Sequence, residues 1–417
     1  MIPLRRRSLA CCLLTALVLT ALVFTGCSPA EDAAPPAAAD PDAALFRDVT
    51  EARLPTDALG GFSMDAMAAD VDADGDLDLV IAHEFEPNIL LLNAGDGTFA
   101  DASDRLPDAT RDSEDVGIAD FDGDGDLDIV IVTEDDAVNE FYLNDGRGSF
   151  TDAGDRWPVT GTSNAVVVAD LTGDGAPDIL VGNNGQDAFL VNDGTAQFTD
   201  ETADRLPQSD DVTQDLELGD VDGDGDLDLI VGNEGDNKLY LNDGTGRFTD
   251  ESAARIPLRA APEETREADF GDVDGDGDLD LLFANVRLFV DGADPQNRLL
   301  INDGTGVFAD ETSARLPADS ARALDGDLVD LDADGDLDII TSNVTLPEAG
   351  IRNAPYETFE NDGTGTFTRV AWLPPTATGR GLDSEAADFN GDGRLDLYLA
   401  SRGTADRLLL GTPPANE

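Results

Sequence analysis

The sequence predicts an all-β fold, a seven-bladed β-propeller of four-stranded blades closed by the N-terminal strand completing the last blade. Three observations predict it. An acidic nonapeptide recurs seven times, a second element that ends in Phe follows six of the copies, and the missing seventh copy of that element stands at the start of the fold. Repeats of this length that contain short strands separated by turns are typical of propellers and solenoids.

The N-terminus predicts export. Three arginines, Arg5, Arg6 and Arg7, precede an apolar run over residues 9–24 and the tripeptide 25–27, which ends in Cys27. This is the pattern of a secretory signal, and it resembles a bacterial lipoprotein signal. We expect residues 1–26 to be a lipoprotein signal peptide and Cys27 to be the lipidated mature N-terminus. An ordinary signal peptide or an uncleaved anchor is the alternative. The expected location is the cell envelope, at the outer membrane, its periplasmic face or the cell surface.

The next segment predicts a tether. Residues 27–44 are mostly Ala, Pro, Asp and Glu, and such a composition has too few large apolar side chains to form a core. We expect the propeller over residues 45–411 and a short tail over 412–417.

Composition excludes several classes of function. The 89 Asp and Glu against 25 Lys and Arg give a formal charge of −64, which disfavours nucleic acid and anionic membrane surfaces as partners. All three cysteines lie within the first 27 residues, and His83 is the sole histidine. A disulfide scaffold, a cysteine nucleophile and most zinc sites are therefore excluded from the folded body. Oxygen ligands for a hard cation remain.

The nonapeptide is the principal site motif. Its copies are spaced by 50, 50, 50, 52, 58 and 58 residues, and position 6 is always Gly. At positions 1, 3, 5, 7 and 9 the copies carry Asp70, Asp72, Asp74, Asp76 and Asp78; Asp120, Asp122, Asp124, Asp126 and Asp128; Asp170, Thr172, Asp174, Ala176 and Asp178; Asp220, Asp222, Asp224, Asp226 and Asp228; Asp272, Asp274, Asp276, Asp278 and Asp280; Asp330, Asp332, Asp334, Asp336 and Asp338; and Asp388, Asn390, Asp392, Arg394 and Asp396.

This spacing indicates calcium. Calcium takes six to eight oxygen ligands, and alternating acids around a turn that Gly permits direct their oxygens to one point. Position 7 varies, as expected if only its backbone carbonyl binds. Position 12 of the first loop is Ile81 rather than the Glu of an EF-hand, so helix-flanked loops are disfavoured. We expect up to seven Ca2+ ions, with the third and seventh loops the poorest in carboxylates. Solvated acidic turns without metal are the alternative.

The second element predicts how the ring closes. Asn-x-Gly-type turns lead into Phe at residues 99, 150, 198, 248, 308 and 367, and such turns are hairpin signals. Residues 46–55 copy the Phe segment, whereas the last unit stops near Leu410. We therefore expect the N-terminal strand to complete the last blade, which removes the exposed edge of an open stack. An open solenoid is the alternative.

At these residues the chain resembles the FG-GAP and VCBS repeat family, whose best-known fold is the integrin α-subunit propeller with the same Asp-x-Asp/Asn-x-Asp-Gly-x-x-Asp loop. The resemblance covers residues 45 to about 411. It implies calcium loops between the first and second strands of each blade, and a ligand face on the opposite side. The integrin-type Gly-Ala-Pro after the loop is replaced by residues 231–233 and their relatives, which places the chain nearer the bacterial branch of the family.

Two insertions mark candidate ligand contacts. The distance from position 9 to the hairpin Asn is 14 to 16 residues in the first four units, but 22 and 23 in the fifth and sixth. Loop variation on a rigid scaffold commonly carries specificity, so residues 286–298 and 344–356 are the leading ligand-contact candidates; decorative surface loops are the alternative.

An acid also lies five residues before most of the acidic loops. Six copies carry Asp65, Asp115, Asp215, Glu267, Asp325 and Asp383, and the third carries Ala165. Since the innermost strand carries these residues, we expect them to ring the mouth of the central channel as solvated groups, where a basic group or a cation could also dock.

The function expected from the sequence is a calcium-binding cell-envelope lipoprotein that acts as a binding or adhesion module for an extracellular or envelope protein or glycan. No catalytic motif appears, and His83, the lone candidate base, is more simply a structural residue. A polysaccharide-active enzyme, lyase or hydrolase, and a structural subunit of an envelope assembly are the alternatives.

Overall fold

The computed structural model describes residues 44–55, 61–134, 138–318, 322–346, 351–352 and 354–413. The expected signal peptide, Cys27 and the tether up to residue 43 lie outside the described residues. Each of the seven sheets that form the ring has four antiparallel strands. We number the blades 1 to 7 by their acidic loops, and the strands of a blade 1 to 4 from the centre of the ring outward.

The strands of each blade share one order, length and spacing. Their bounds are Ser63–Ala69, Asp78–His83, Ile89–Asn93 and Phe99–Asp101 in blade 1; Ser113–Ala119, Asp128–Thr133, Glu140–Asn144 and Phe150–Asp152 in blade 2; Ser163–Ala169, Asp178–Asn183, Ala188–Asn192 and Phe198–Asp200 in blade 3; Thr213–Gly219, Asp228–Asn233, Lys238–Asn242 and Phe248–Asp250 in blade 4; Thr265–Gly271, Asp280–Asn285, Arg298–Asn302 and Phe308–Asp310 in blade 5; Ala323–Val329, Asp338–Asn343, Tyr356–Asn361 and Phe367–Val370 in blade 6; and Gly381–Ala387, Asp396–Ser401, Arg407–Gly411 and Phe46–Asp48 in blade 7.

The ring is closed, as the sequence predicts. The first strand of every blade contacts the first strands of both neighbouring blades, including blade 7 with blade 1. The strand Phe46–Asp48 pairs antiparallel with Arg407–Gly411, and Phe46 lies opposite Gly411. The backbone N–H of Thr412 donates to the carbonyl of Leu45 at 2.7 Å. The sheet of blade 7 is thus built from both ends of the fold.

The apolar core is divided among the blade interfaces. Seven clusters of buried side chains are present in the described part, one between each pair of neighbouring blades. The second strands supply much of this core because they are buried along their whole length, as in Asp128–Thr133. Between blades 2 and 3, the rings of Phe121, Phe141 and Phe198 meet edge to face, with centroids 5.3 to 5.7 Å apart.

Single helical turns follow the fourth strand in six blades, a feature missed at the sequence level. Their bounds are Thr50–Arg53, Ser103–Arg105, Gly154–Arg156, Thr202–Arg205, Ser252–Arg255 and Thr312–Arg315. In each, the Asp that ends the fourth strand accepts the backbone N–H two residues later, as Asp250 does from Ser252 at 3.0 Å. The sequence contains a signal for these turns: in each case Ser, Thr or Gly stands two residues after the Asp. Among the described residues no helix has the length and apolar character needed to cross a membrane.

Candidate metal centres and the central channel

The seven acidic loops connect the first and second strands and share one conformation. In blade 1, the carboxylate of Asp70 accepts the backbone N–H groups of Asp74 at 3.1 Å and Gly75 at 3.0 Å. Gly75 has φ +96°, and Ala73 at position 4 has φ 60°. Position 6 therefore needs the left-handed region that Gly favours. Position 4 needs it as well, although Ala occupies that position in this loop. The hydrogen bonds of the Asp70 carboxylate and the left-handed residues together hold the loop in a compact turn.

Position 9 anchors the loop to its blade. Asp78 is fully buried, and its two oxygens accept the backbone N–H groups of Val71 at 3.1 Å and Asn93 at 2.8 Å. Burial raises the pKa of Asp78 to about 7, and the neighbouring Asp72 and Asp74 add to the increase. Val71, at position 2, is 1% exposed, so its side chain packs into the core. The apolar side chain of Leu77 at position 8 is only partly buried.

In four loops the Asp at position 3 has a buried carboxylate oxygen that no group in the described part of the chain satisfies. The Oδ1 atoms of Asp72, Asp122, Asp222 and Asp274 are buried and have no hydrogen-bond partner among the described residues. In two of these carboxylates the other oxygen is held by an arginine of the same blade: Arg255 lies 3.5 Å from Asp222 Oδ2, and Arg315 lies 3.1 Å from Asp274 Oδ2. A buried oxygen without a partner carries a desolvation cost, and a cation in the loop would remove it.

The carboxylates of one loop converge. In three loops one oxygen from each of positions 1, 3 and 9 lies within 4.8 Å of the others, and in a fourth the same holds for positions 1, 3 and 5. These groups are Asp70, Asp72 and Asp78; Asp120, Asp122 and Asp128; Asp220, Asp222 and Asp228; and Asp272, Asp274 and Asp276. Oxygen-only donors at this spacing fit a hard cation such as calcium. The residues present therefore fit the metal that the sequence predicts.

The third and seventh loops differ in the way the sequence indicates. In blade 7, Asn390 donates its amide to Asp396 at 2.8 Å, and Arg394 donates to Asp392 at 3.1 Å. Both contacts use carboxylate oxygens of the loop. In blade 3, Thr172 at position 3 replaces a carboxylate, and its backbone N–H donates to Asp178 at 3.0 Å. These two loops offer less negative charge to a cation than the other five.

Position 7 side chains point away from the loop centre. A Cβ built on Gly95, in the hairpin between the third and fourth strands, would lie 2.4 Å from Asp76 Oδ2, and Gly244 has the same relation to Asp226. The position 7 carboxylate thus lies against the hairpin of its own blade. This agrees with a ligand role for the backbone carbonyl of position 7, including those of Ala176 and Arg394, rather than for its side chain.

The hairpin Asn is a structural residue whose full role the sequence did not reveal. Asn361 in blade 6 donates to the carbonyl of Leu337 in its own loop at 2.9 Å and to that of Val273, in the loop of blade 5, at 2.8 Å. Its side-chain oxygen accepts the N–H groups of Gly363 and Gly365. Asn93, Asn144, Asn192 and Asn302 make the equivalent contact to the preceding blade. One amide therefore ties two acidic loops together.

The first strands enclose a central channel of about 710 Å³. Among the described residues, eleven acidic side chains line it, including the six acids singled out in the sequence, and Arg266 is the one basic side chain in the lining. The additional acids are Glu114, Glu217, Asp269, Asp327 and Glu385. Those at 217, 269, 327 and 385 lie three residues before their loops. Because residues two apart point to the same side of a strand, this second set of acids was predictable in principle.

The channel acids are not simply solvated, contrary to the sequence expectation. Asp65, Asp115 and Asp215 each accept a backbone N–H from the first strand of the next blade along the ring, at 3.0, 2.7 and 2.9 Å. Asp383 and Glu385 do the same from blade 7 to blade 1. These N–H groups belong to the innermost strands, which have no further strand to pair with. Carboxyl groups thus fill the place of an inner strand.

Burial of these carboxyl groups shifts their protonation. Desolvation raises the pKa of Asp215 to about 7 and that of Glu217 to about 9, and the neighbouring carboxyl groups of the channel add to the shift of Glu217. Asp269 is raised to about 6 by burial, although two backbone N–H groups oppose the increase. A fraction of the channel is therefore protonated at neutral pH.

His83 is a structural residue in this geometry. Its side chain is buried, and Nε2 accepts the backbone N–H of Phe62 at 2.8 Å. Because Nε2 is an acceptor, the neutral ring carries its proton on Nδ1, which lies 3.7 Å from Glu86. Burial lowers the pKa of His83. The ring holds the chain entering blade 1.

The two insertions lie on the face opposite the acidic loops, which we call the opposite face: the connections between second and third strands and between blades. In blade 5 the carboxylate of Glu264 accepts the backbone N–H groups of Leu288, Phe289 and Val290 at 2.8 to 3.0 Å. Phe289 is 46% exposed, and the guanidinium of Arg266 lies 5.0 Å from its ring centroid.

The ends of both insertions are structural rather than exposed. Arg298 is 1% exposed and pairs with Glu263 and Asp310, and Tyr356 donates its hydroxyl to the carbonyl of Ala400. In blade 6, Thr345–Leu346 pairs with Ile351–Arg352 as a short hairpin, whereas residues 347–350 and 353 lie outside the described residues. Within the blade 5 segment the exposed candidate contacts lie in its middle, around Phe289.

Seven four-stranded blades in a closed ring, with an acidic loop in each, define the class of the protein as a repeat β-propeller. The chain belongs to the FG-GAP-like repeat family. The model of this family matches residues 70–131, 120–181, 170–231, 220–283 and 350–399, together more than half of the chain. A search of curated proteins found no match.

Solved propellers share the fold at low identity. BBS1N in complex with ARL6DN is 12% identical with a TM-score of 0.55, over 89% of this chain and 99% of that chain. YCF48 bound to D1 peptide is 10% identical with a TM-score of 0.54, over 91% and 97% of the two chains. An ancestral GH74 enzyme is 10% identical with a TM-score of 0.53, over 84% of this chain and 45% of that chain. At these identities the likeness concerns the fold alone.

Proposed function

We propose that the protein is a calcium-stabilised binding module, exported and held at the cell envelope by a lipid on Cys27, that presents its opposite face to a protein or glycan. The observation that best supports calcium binding by the loops is the buried, unsatisfied Oδ1 atom at position 3 of four of them. Carboxylate oxygens in this arrangement would hold the ion, and the bound cation would neutralise the repulsion within each loop.

The opposite face carries the features of a binding surface. Phe85 and Phe289 are 44% and 46% exposed, and Leu258 is 85% exposed. Phe85 also has φ 64°, a backbone conformation that is uncommon for an aromatic residue and that clusters at functional sites. Exposed aromatic side chains on a rigid scaffold favour recognition. The Glu264 contacts hold the Phe289 segment in one conformation, which lowers the entropy cost of binding.

The geometry gives an enzyme no comparable support. His83 is buried and already accepts a backbone hydrogen bond. Six acids of the channel accept a backbone N–H group of a neighbouring blade, and two more accept the hydroxyl of Ser384. A binding role therefore follows more directly from the exposed side chains than a catalytic role does from the acids.

Binding assays with matched surface variants test this function. The chain from residue 28 onward would be applied to a glycan array and to envelope proteins immobilised from the source cells, in calcium. We expect Phe85→Ser with Phe289→Ser to abolish capture. Val307→Ser is the control, since Val307 is 41% exposed in the hairpin on the acidic-loop side. Capture that survives the double variant would contradict the assignment of the face. Cys27→Ser should move the full chain from the membrane fraction to the soluble fraction.

A further inference from the structure

A cluster of carboxyl groups on the opposite face is separate from the acidic loops. Asp112 immediately precedes the first strand of blade 2, Glu114 lies at the start of that strand, and Glu134 follows the second strand. One carboxylate oxygen from each lies within 4.8 Å of the others. Asp112 is 2% exposed, and the N–H of Glu134 donates to the carbonyl of Asp112 at 2.9 Å. Strand pairing therefore fixes the three groups side by side.

Glu114 points to a ligand at this place. It lines the central channel, and its Oε1 atom is buried without a hydrogen-bond partner among the described residues. Burial raises the pKa of Glu114 well above its ordinary range, and the negative charges of Glu134, Asp112 and Glu84 raise it further, while the positive charge of Arg402 opposes the increase. Glu84 is itself paired with Arg402 at 2.6 Å. The arrangement gathers negative charge around one unsatisfied oxygen.

The repeat supplies an internal comparison, because blade 5 has a cation at the same position. Arg266 and Glu114 both lie six residues before their acidic loops. The guanidinium of Arg266 contacts Glu264, two residues earlier in its own blade, at 3.1 Å, and Glu234, which follows the second strand of the preceding blade, at 3.3 Å. In blade 2 the equivalent neighbours are Asp112 and Glu84. The register thus places a positive group between two carboxylates in blade 5 and a third carboxyl group in blade 2.

We propose that Asp112, Glu114 and Glu134 bind one divalent metal cation, at a site on the opposite face that is distinct from the seven acidic loops. The metal would supply positive charge next to Asp112, as the Arg266 guanidinium does next to Glu264 in blade 5. It would take Glu134 in place of Glu84, which pairs with Arg402. Carboxylate oxygens alone favour a hard ion such as Ca2+, Mg2+ or Mn2+ over Zn2+ or Cu2+. Because Glu114 lines the channel, the ion lies at the channel wall, where a ligand on the opposite face can meet it.

Anomalous scattering from Mn2+ tests the site directly. Crystals of the chain from residue 28 onward would be grown with Mn2+ as the only divalent metal. The expected result is an anomalous peak within bonding distance of all three carboxylates. In the Glu114→Arg variant, which copies blade 5, that peak should be absent while peaks at the acidic loops remain. Glu114→Gln is a second variant for the same comparison, with circular dichroism as the check of folding.

The outcomes separate this inference from the proposed function. Loop peaks without a peak at Asp112, Glu114 and Glu134 would overturn the inference, and would mean that the cluster carries protons or meets a basic side chain of a partner. A peak at the cluster without loop peaks would support it while contradicting calcium binding by the loops. In solution, the metal content of the wild type should exceed that of Glu114→Arg by one ion per chain, and equal contents would also overturn the inference.

Discussion

The carboxyl group of Asp383, in blade 7, accepts a 2.9 Å hydrogen bond from the backbone N–H of Ala66, in blade 1. This bond crosses the interface where the two ends of the fold meet. The pattern repeats around the ring, so acids of the innermost strands serve as connections between blades. Their negative charge and their hydrogen bonds act in opposite directions on stability.

Replacing Asp383 separates these two effects. Asp383→Ala removes the acceptor and leaves the N–H of Ala66 unpaired, which costs about 1–3 kcal/mol. Asp383→Asn keeps an acceptor oxygen without the charge and should leave the melting temperature unchanged or higher. Thermal unfolding at pH 7 of both variants checks this. Equal losses in the two variants would show that the hydrogen bond to Ala66 does not stabilise the closure.

The raised pKa values of the channel acids predict that the stability of the protein falls as pH rises. Burial raises the pKa of Asp269 to about 6, of Asp215 to about 7 and of Glu217 to about 9. These values lie above those of the unfolded chain, so the folded protein holds more protons and its free energy of unfolding decreases as pH rises from about 6 to about 9. Ordinary carboxyl groups, with pKa near 4, are already ionised and contribute little there.

Thermal unfolding in chelator between pH 5.5 and 9 measures this dependence without bound metal. The melting temperature should fall across the range, and Glu217→Gln should reduce the fall at its alkaline end. A melting temperature that rises with pH in the wild type would contradict the protonation of the channel.

A hairpin Asn that also bonds to the preceding blade should contribute more to stability than one that bonds to its own loop. Asn302 donates to Leu279 in its own loop and to Val221 in the preceding blade, at 3.0 and 2.8 Å. Asn242 donates to Leu227 at 3.1 Å, and both accept two glycine N–H groups. Asn302→Ala should therefore cost about 1 kcal/mol more than Asn242→Ala, as measured by denaturant unfolding in calcium. Equal costs would mean that the inter-blade bond contributes nothing.

Alanine substitutions at positions 5 and 7 of one loop should have different effects on the calcium content. Asp74 accepts the N–H of Asp76 within the loop at 3.1 Å, whereas the carboxylate of Asp76 lies against Gly95. Asp74→Ala should lower the calcium content by one ion per chain, and Asp76→Ala should leave it unchanged. Elemental analysis after gel filtration in calcium gives both values. A loss of the same size in Asp76→Ala would show that its side chain binds the ion.

The sequence predicted the ring because its determinants are local and repeated. Each acidic loop carries its own Gly and acids, and the displaced Phe segment at residues 46–55 shows by its position which blade it completes. The bonds between blades escaped prediction since they depend on the register of neighbouring sheets. Asp215 looks the same in sequence whether it faces water or the N–H of Ala268.

The candidate sites show the same difference between local features, which the sequence predicts, and features that depend on strand pairing, which it does not. The acids of a single loop were predictable because their spacing brings them together within nine residues. Asp112, Glu114 and Glu134 were not, since a strand pairing is needed to place residue 134 beside residue 112. Alignment of the repeats would have shown a glutamate in blade 2 at the position where blade 5 has Arg266, but not that its oxygen is unsatisfied.

The most direct test of the account is the calcium content and thermal stability of the chain from residue 28 onward, with and without chelator. Metal that binds only the folded state adds about 2.7 kcal/mol per site at a hundredfold excess over Kd. We predict several calcium ions per chain and a melting temperature at least about 10 °C lower in chelator. A protein that retains no calcium and melts at the same temperature in both conditions would contradict the account.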